Sequence, residues 1–315
     1  MKNTEKDNIS LLVETARLYY EHGFTQQEIA DKFGISRPGV SRLLQKAQDV
    51  GIVQIKVVDP KDSGSRLEKE IIDKYGLKKV IVVPAHNNPA TIKARLGKAT
   101  VVFLDQINHE KMILGISWGT TMQEVARQLK KQPIKNSIVV QLNGGISRAE
   151  YDTHASEIAK SIGEKYEAVP YLLPLPAVVD RSDLKTAIIS DRNINRTLQF
   201  AKEAKIAVFT IGSFSHDSVL VKADYFDKKE VDDLINQGAV GDICSRILNR
   251  DGEIASLGLD QRTIGIELND LKAKEYAIAV AGGKDKLSAI QAGLRGKWFN
   301  CLITDEWIAK KLLEE

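Results

Sequence analysis

The chain has 315 residues, of which 43% are hydrophobic and 28% charged, and 45 Lys and Arg stand against 42 Asp and Glu for a formal net charge of +3. This balance excludes a disordered chain and an indiscriminate polyanion binder, and the length leaves room for two or three domains. Cys244 and Cys301 lie far apart, without a CxxC partner or nearby histidines, so they suggest neither a disulfide framework nor a metal site.

The N-terminus, MKNTEKDNIS, lacks the apolar run of a signal peptide. No stretch approaches the roughly 20 apolar residues of a membrane span. Together with the free cysteines this predicts a cytoplasmic protein with no membrane partner.

Residues 9–22 carry apolar groups at helical spacing and predict a supporting helix. Residues 25–45, TQQEIADKFGISRPGVSRLLQ, then have the pattern of a helix-turn-helix. Thr25 can cap the first helix, and Glu28 three residues on completes a capping box. Ile29, Ala30 and Phe33 share an apolar face, and Ala30 is small enough for close crossing. Gly34 can take the positive φ of the turn, Ile35 is expected to plug the corner, and Ser36 to cap the second helix over the buried Val40, Leu43 and Leu44. Thr25 and Gln26 begin the first helix and are candidate DNA contacts. The second presents Ser36, Arg37, Pro38, Gly39, Ser41, Arg42 and Lys46, small, polar or basic groups that a major groove accepts. The alternative is an ordinary helical hairpin with a solvated basic face. Between 36 and 49 the only acid is Asp49, so affinity for double-stranded DNA would arise from a local patch.

Gly51 ends the second helix, and IVQIKVVD alternates as a short strand, the profile of a winged variant. PKDSGS at 60–65 reads as a linker, dividing a DNA-binding domain at 1–59 from a second domain at 66–315. In that domain β-branched runs at 79–84, 112–116, 138–142, 206–211, 277–281 and 300–304 alternate with amphipathic helices at 91–109, 120–131, 154–166, 191–204, 284–294 and 305–314. Near-continuous apolar strands separated by helices predict an α/β fold, a doubly wound and mostly parallel sheet covered on both faces. Ligands of such sheets bind at loops beyond the strand C-termini.

Those loops are rich in glycine and hydroxyls. GISWGTT places Ser117, Gly119, Thr120 and Thr121 between a strand and a helix start, a natural phosphate cradle. Asn143, Gly144 and Gly145 follow the next strand, Gly212 another, and AGGKDK supplies Lys284 or Lys286 to neutralise an anion. Plain turn chemistry is the alternative for any one of them. Asp242 and Asp260 are candidates to accept hydrogen bonds from sugar hydroxyls; a helix cap and a solvated loop are their other readings. Lys222 adds positive charge, whereas Arg262 reads as a surface residue. The histidines at 22, 86, 109, 154 and 216 show no Ser/His/Asp order.

The chain resembles the SorC family of bacterial sugar-responsive transcriptional regulators through ARLYYEHGFTQQEIADKFGISRPGVSRLLQKAQDVGIVQIKV, GISWGTTM, VVQLNGGIS, AVGDICSR, QRTIGIEL and IAVAGGKDKLSAIQAGLRGKWFNCLITDE. The resemblance covers essentially the whole chain. It implies a winged helix-turn-helix joined to an effector domain with the fold of sugar-phosphate isomerases and deaminases, assembled as a dimer or tetramer. It also implies that Gly119, Thr120 and Thr121 hold a phosphate, that Lys286 pairs with a charged end of the effector, and that Asp242 faces its hydroxyls. Where the deoxyribonucleoside-responsive members carry a lysine before the paired glycines, this chain has Asn143, whose amide forms no imine with an open-chain sugar.

The expected function is a regulator, a repressor by preference over an activator, of a carbohydrate or deoxyribonucleoside operon. A phosphorylated sugar such as deoxyribose 5-phosphate would control it, with no cofactor. The alternative is a sugar-phosphate isomerase-like enzyme with an appended DNA-binding domain, which needs a positioned general base. The segment 66–76 would join partners or pack on its own sheet.

Overall fold

The computed structural model describes residues 2–53, 60–146 and 152–314. Contacts divide the chain into units of residues 1–59 and 60–315.

In the first unit α1 (Lys2–Ala16) continues into a π-helical turn, Arg17–Glu21, before α2 (Gln26–Phe33) and α3 (Arg37–Asp49). The Thr25 side chain accepts from the Glu28 N–H while Glu28 accepts from the Thr25 N–H, so both ends of the capping box are closed. Gly34 ends α2 at φ +63°, a left-handed conformation suited to glycine. Ser36 caps α3 by accepting from the Gly39 N–H, and Pro38 sits in the first turn, where its missing N–H leaves nothing unpaired. Leu18, Ile29, Ala30, Val40 and Leu44 form the buried core. Ile35 does not plug the corner: it is 37% exposed, because the residues already buried fill the space between the helices. Of the expected wing strand, residues 52 and 53 form a bend and 54–59 lie outside the described residues.

The second unit opens with α4 (Pro60–Tyr75), so the expected linker at 60–65 is helical. Pro60 suits a first helical turn. Further along, the Glu68 carboxylate accepts from the Val82 N–H, tying the helix to the sheet and overriding the weak propensity of Ser and Gly. Then follow β1 (Lys79–Val83), α5 (Pro89–Ile107), β2 (Ile113–Ile116), α6 (Thr120–Gln128), β3 (Ile138–Gln141), α7 (Ala155–Tyr166), β4 (Val169–Tyr171), α8 (Ser182–Ser190) and α9 (Arg192–Glu203). β5 (Ile206–Ser213), α10 (Val219–Lys222), α11 (Lys228–Asn236), β6 (Ala239–Ile243), β7 (Arg246–Asn249), α12 (Leu257–Asp260) and α13 (Leu268–Lys272) come next. The chain closes with β8 (Tyr276–Val280), α14 (Leu287–Arg295), β9 (Cys301–Asp305) and α15 (Glu306–Glu314).

Seven strands pair in parallel in the order β1-β9-β8-β5-β2-β3-β4, and β6 and β7 form an antiparallel hairpin on the end of β5. Alternate residues enter opposite cores. Val139, Val208 and Ile278 face α5, α6 and α7, whereas Val140, Phe209 and Ala279 face α4, α14 and α15. Each fully buried Val, Leu or Ile contributes about 1.5–3 kcal/mol, and the sheet buries such residues on both faces.

α5 crosses α6 at Gly97, where a Cβ would stand 3.0 Å from the Glu124 backbone and 2.9 Å from the Gln128 amide. This close crossing holds the second half of α6 against α5. Gly97→Val lowers unfolding free energy by about 1–3 kcal/mol through overpacking; an unchanged urea midpoint would show that the helices separate freely.

Candidate functional site

The C-terminal ends of the parallel strands open into a cavity of about 980 Å³. Its first wall comes from β2. Ser117 is buried, and its Oγ accepts from the Thr210 N–H on β5 at 3.1 Å, locking the two strand ends together. Gly119 then takes φ +116° and becomes the N-cap of α6 without a side-chain cap. Among the described residues no side chain caps the start of α6, and Thr120 and Thr121 in its first turn line the cavity, where unpaired amides make a candidate donor array for an oxyanion.

The second wall is the β5–β6–β7 corner. Gly212 pairs with Asp242 across the antiparallel register, and a Cβ on Gly212 would collide with the Asp242 carboxylate. Asp242 accepts from the Ser245 N–H at 3.2 Å. Burial pushes its carboxyl up to about 6, opposed by that hydrogen bond and by the Lys286 ammonium. Cys244 and Ser245 make the turn at φ +50° and +67°, left-handed values uncommon outside glycine. The Cys244 thiol lines the cavity, but burial and the Asp242 charge hold it protonated, so it offers no nucleophile.

The third contribution comes from β3 and β8. Asn143, 2% exposed, donates from Nδ2 to the Ser245 Oγ at 2.8 Å. Lys286 donates to the Ser213 Oγ at 3.0 Å and lies 3.1 Å from Asp285. The cavity thus sets amide donors and an ammonium beside a carboxylate and a carboxamide, suited to a small molecule bearing both an anion and hydroxyls.

Of the residues singled out in the sequence, Ser117, Gly119, Thr120, Thr121, Asn143, Gly212, Asp242 and Lys286 all line this cavity. Four others do not. Lys222 is exposed at the end of α10, a short helix that turns Val219 and Leu220 inward instead. Asp260 pairs with Arg246, a side chain only 1% exposed that also reaches Glu267 at 2.8 Å and the Ile266 carbonyl at 2.7 Å. Its carboxylate neutralises a buried cation and has no place on the cavity wall. Gly144 and Gly145 serve packing: the Trp118 indole N–H donates to the Gly144 carbonyl at 2.8 Å, and a Cβ on Gly145 would press on the Trp118 ring.

Thr210, Ser245, His86 and Lys93 also line the cavity and were missed. The polar Thr210 inside the apolar run IAVFTI was the one available signal.

In the first unit Ser36, Arg37, Pro38, Ser41, Arg42 and Lys46 are exposed on α3, Gly39 is half-buried, and Thr25 and Gln26 lie at the start of α2. The Arg42 Nε donates to the Pro38 carbonyl at 3.3 Å. Gln45, equally exposed one turn after Ser41, belongs to the same face and was overlooked.

Comparison with known proteins places residues 60–314 in the sugar-binding domain family Sugar-bind and residues 17–63 in a MarR family model. The chain is 39% identical over 312 residues to the deoxyribonucleoside regulator of Bacillus subtilis, covering 99% of each chain. It is 28% identical to the sorbitol operon regulator of Klebsiella pneumoniae over 98% of this chain and 99% of the other. The crystal structure of full-length SorC from the same organism superposes with a TM-score of 0.73 at 27% identity, covering 98% of this chain and 99% of that one.

Two outcomes separate these roles. Asp260→Ala removes one of the two carboxylates on the buried Arg246 guanidinium and leaves Glu267 to hold it alone, costing about 1–3 kcal/mol of stability in a urea melt; a melt within error of wild type would show that the Asp260 pair contributes nothing. The folded-state value of Asp242, about 6, lies above the ordinary 3.8. Its contribution to stability is therefore full below about pH 4 and lost as pH rises through 6. Asp242→Asn, which never carries charge, outlasts the wild type at pH 8 by about 3 kcal/mol. The two converge at pH 4, and parallel pH profiles would refute the assignment.

Proposed function

The chain belongs to the SorC family of sugar-binding transcriptional regulators, and from that membership we propose that it represses a carbohydrate or deoxyribonucleoside catabolic operon and yields its operator when a phosphorylated sugar enters the cavity. The observation that carries this reading is the uncapped start of α6 lining one cavity with Lys286 and Asp242. The phosphate sits on the amides of Gly119, Thr120 and Thr121, Lys286 balances the negative end, and Asp242 and Asn143 receive the hydroxyls.

Arg37 and Arg42 read or anchor DNA, Ser36 and Ser41 touch phosphates or base edges, and Lys46 follows the backbone. One helix-turn-helix reaches few bases, so the active species is a dimer or tetramer. The effector acts by linkage: it binds one arrangement more tightly and draws the population from the DNA-competent one.

A second reading, an isomerase-like enzyme with an appended DNA-binding domain, draws on Asp242, whose carboxyl titrates near 6 beside Lys286 and would suit a general base. We favour binding without turnover; NMR of sugar phosphates with stoichiometric protein shows no isomerisation on that reading.

Fluorescence anisotropy on DNA upstream of the protein's own gene tests the proposal. Binding is tight, falls with salt, and is weakened by one sugar phosphate from a panel that includes deoxyribose 5-phosphate. Arg42→Ala weakens it by about 1–3 kcal/mol. Loss confined to one operator position marks a base contact, and DNA affinity indifferent to every sugar phosphate would sink the effector site.

A further inference from the structure

Asn143 is placed unusually for a residue at the end of a buried parallel strand. Its side chain is 2% exposed, its Nδ2 is committed to the Ser245 Oγ at 2.8 Å, and its Oδ1 is buried without a hydrogen-bond partner. Asn143 nevertheless lines the cavity. A buried polar atom left unmet is rare and destabilising. Exchanging the two ends of the amide does not remove the vacancy; it only turns an unmet acceptor into an unmet donor.

Ser245 links this vacancy to a second one. Its N–H donates to the Asp242 Oδ2 at 3.2 Å, the single hydrogen bond that carboxylate receives among the described residues. Asp242 retains acceptor capacity and also lines the cavity. Asn143 and Asp242, both joined to Ser245, thus lie close together, and both line the cavity with the α6 start: Asn143 follows β3 and Asp242 of β6 pairs with Gly212 of β5, β3 and β5 being the two neighbours of β2 in the sheet.

A hydroxyl both donates and accepts, so it satisfies Asn143 in either orientation of the amide, and a neighbouring hydroxyl satisfies Asp242. A methylene satisfies neither. We infer that Asn143, Ser245 and Asp242 form a hydroxyl-reading floor that selects fully hydroxylated sugar phosphates over their deoxy counterparts. This rests on the phosphosugar reading above and narrows its chemical class.

Isothermal titration of the full-length protein decides it, with two matched pairs: ribose 5-phosphate against 2-deoxyribose 5-phosphate, and glucose 6-phosphate against 2-deoxyglucose 6-phosphate. In at least one pair the hydroxylated member binds roughly ten- to hundredfold more tightly, and Asn143→Leu closes most of that gap. Should leucine prevent folding, Asn143→Ala gives the same comparison. Sugar phosphates that bind with no preference for the hydroxylated member, or a preference that survives in the Asn143 variant, overturn the inference while leaving the phosphosugar reading intact. Absence of binding by all four removes both.

Discussion

The second unit depends on β5 changing partners partway along its length. Residues 206–208 pair in parallel with β2 and 206–210 with β8, but at 211–213 the same strand pairs with β6 in the opposite direction. Without that switch the β6–β7 hairpin would have no edge to join, and Asp242, Cys244 and Ser245 would not reach the open end of the sheet. Close packing enforces it. A Cβ on Gly241 would run into Ala289 and the Gly212 carbonyl, and one on Gly212 into Asp242, so this corner closes only with hydrogen in both places.

The corner also has an inner anchor. Arg246, next in sequence to Ser245, is held by the Ile266 carbonyl and by the carboxylates of Asp260 and Glu267. A left-handed turn at Cys244 and Ser245 is sterically unfavourable and persists where its surroundings hold it. Here Asp242 holds the Ser245 N–H on one side and the buried guanidinium holds the next residue on the other. Asn143 enters the same network from β3, aided by the bridge between its backbone and that of Gly265.

What sequence alone reveals divides along the same line. The helix-turn-helix is legible because its determinants are local: a capping box within four residues, one glycine at positive φ, and apolar positions at helical spacing. Six strands of the parallel sheet are legible from their β-branched runs, and the turn from β2 into α6 from a glycine between strand and helix. The hairpin AVGDICSRILN is not, because its pairing with β5 is non-local and its turn uses Cys and Ser where glycine or asparagine would be expected. Asp260 was misread for a related reason. Its partner Arg246 sits inside a segment with no helical or strand periodicity strong enough to mark it as core. The linker failed differently, since Gly64 and its polar neighbours belong to a helix held by contacts further along with β1.

The sheet order has a consequence for how the chain comes into being. β1, near the start of the second unit, lies beside β9, almost at its end, and both Lys74 and Tyr75 of α4 donate to the Leu312 carbonyl. During synthesis α4 and β1 therefore emerge long before the neighbours that cover them, while the helices of the first unit pack on one another within residues 2–49. A nascent chain has its helix-turn-helix early and completes its sheet only with the last strand. Growing on the ribosome, it displays an unfilled slot between β1 and β8 until residues 301–305 arrive, and that interval is when chaperones would find it.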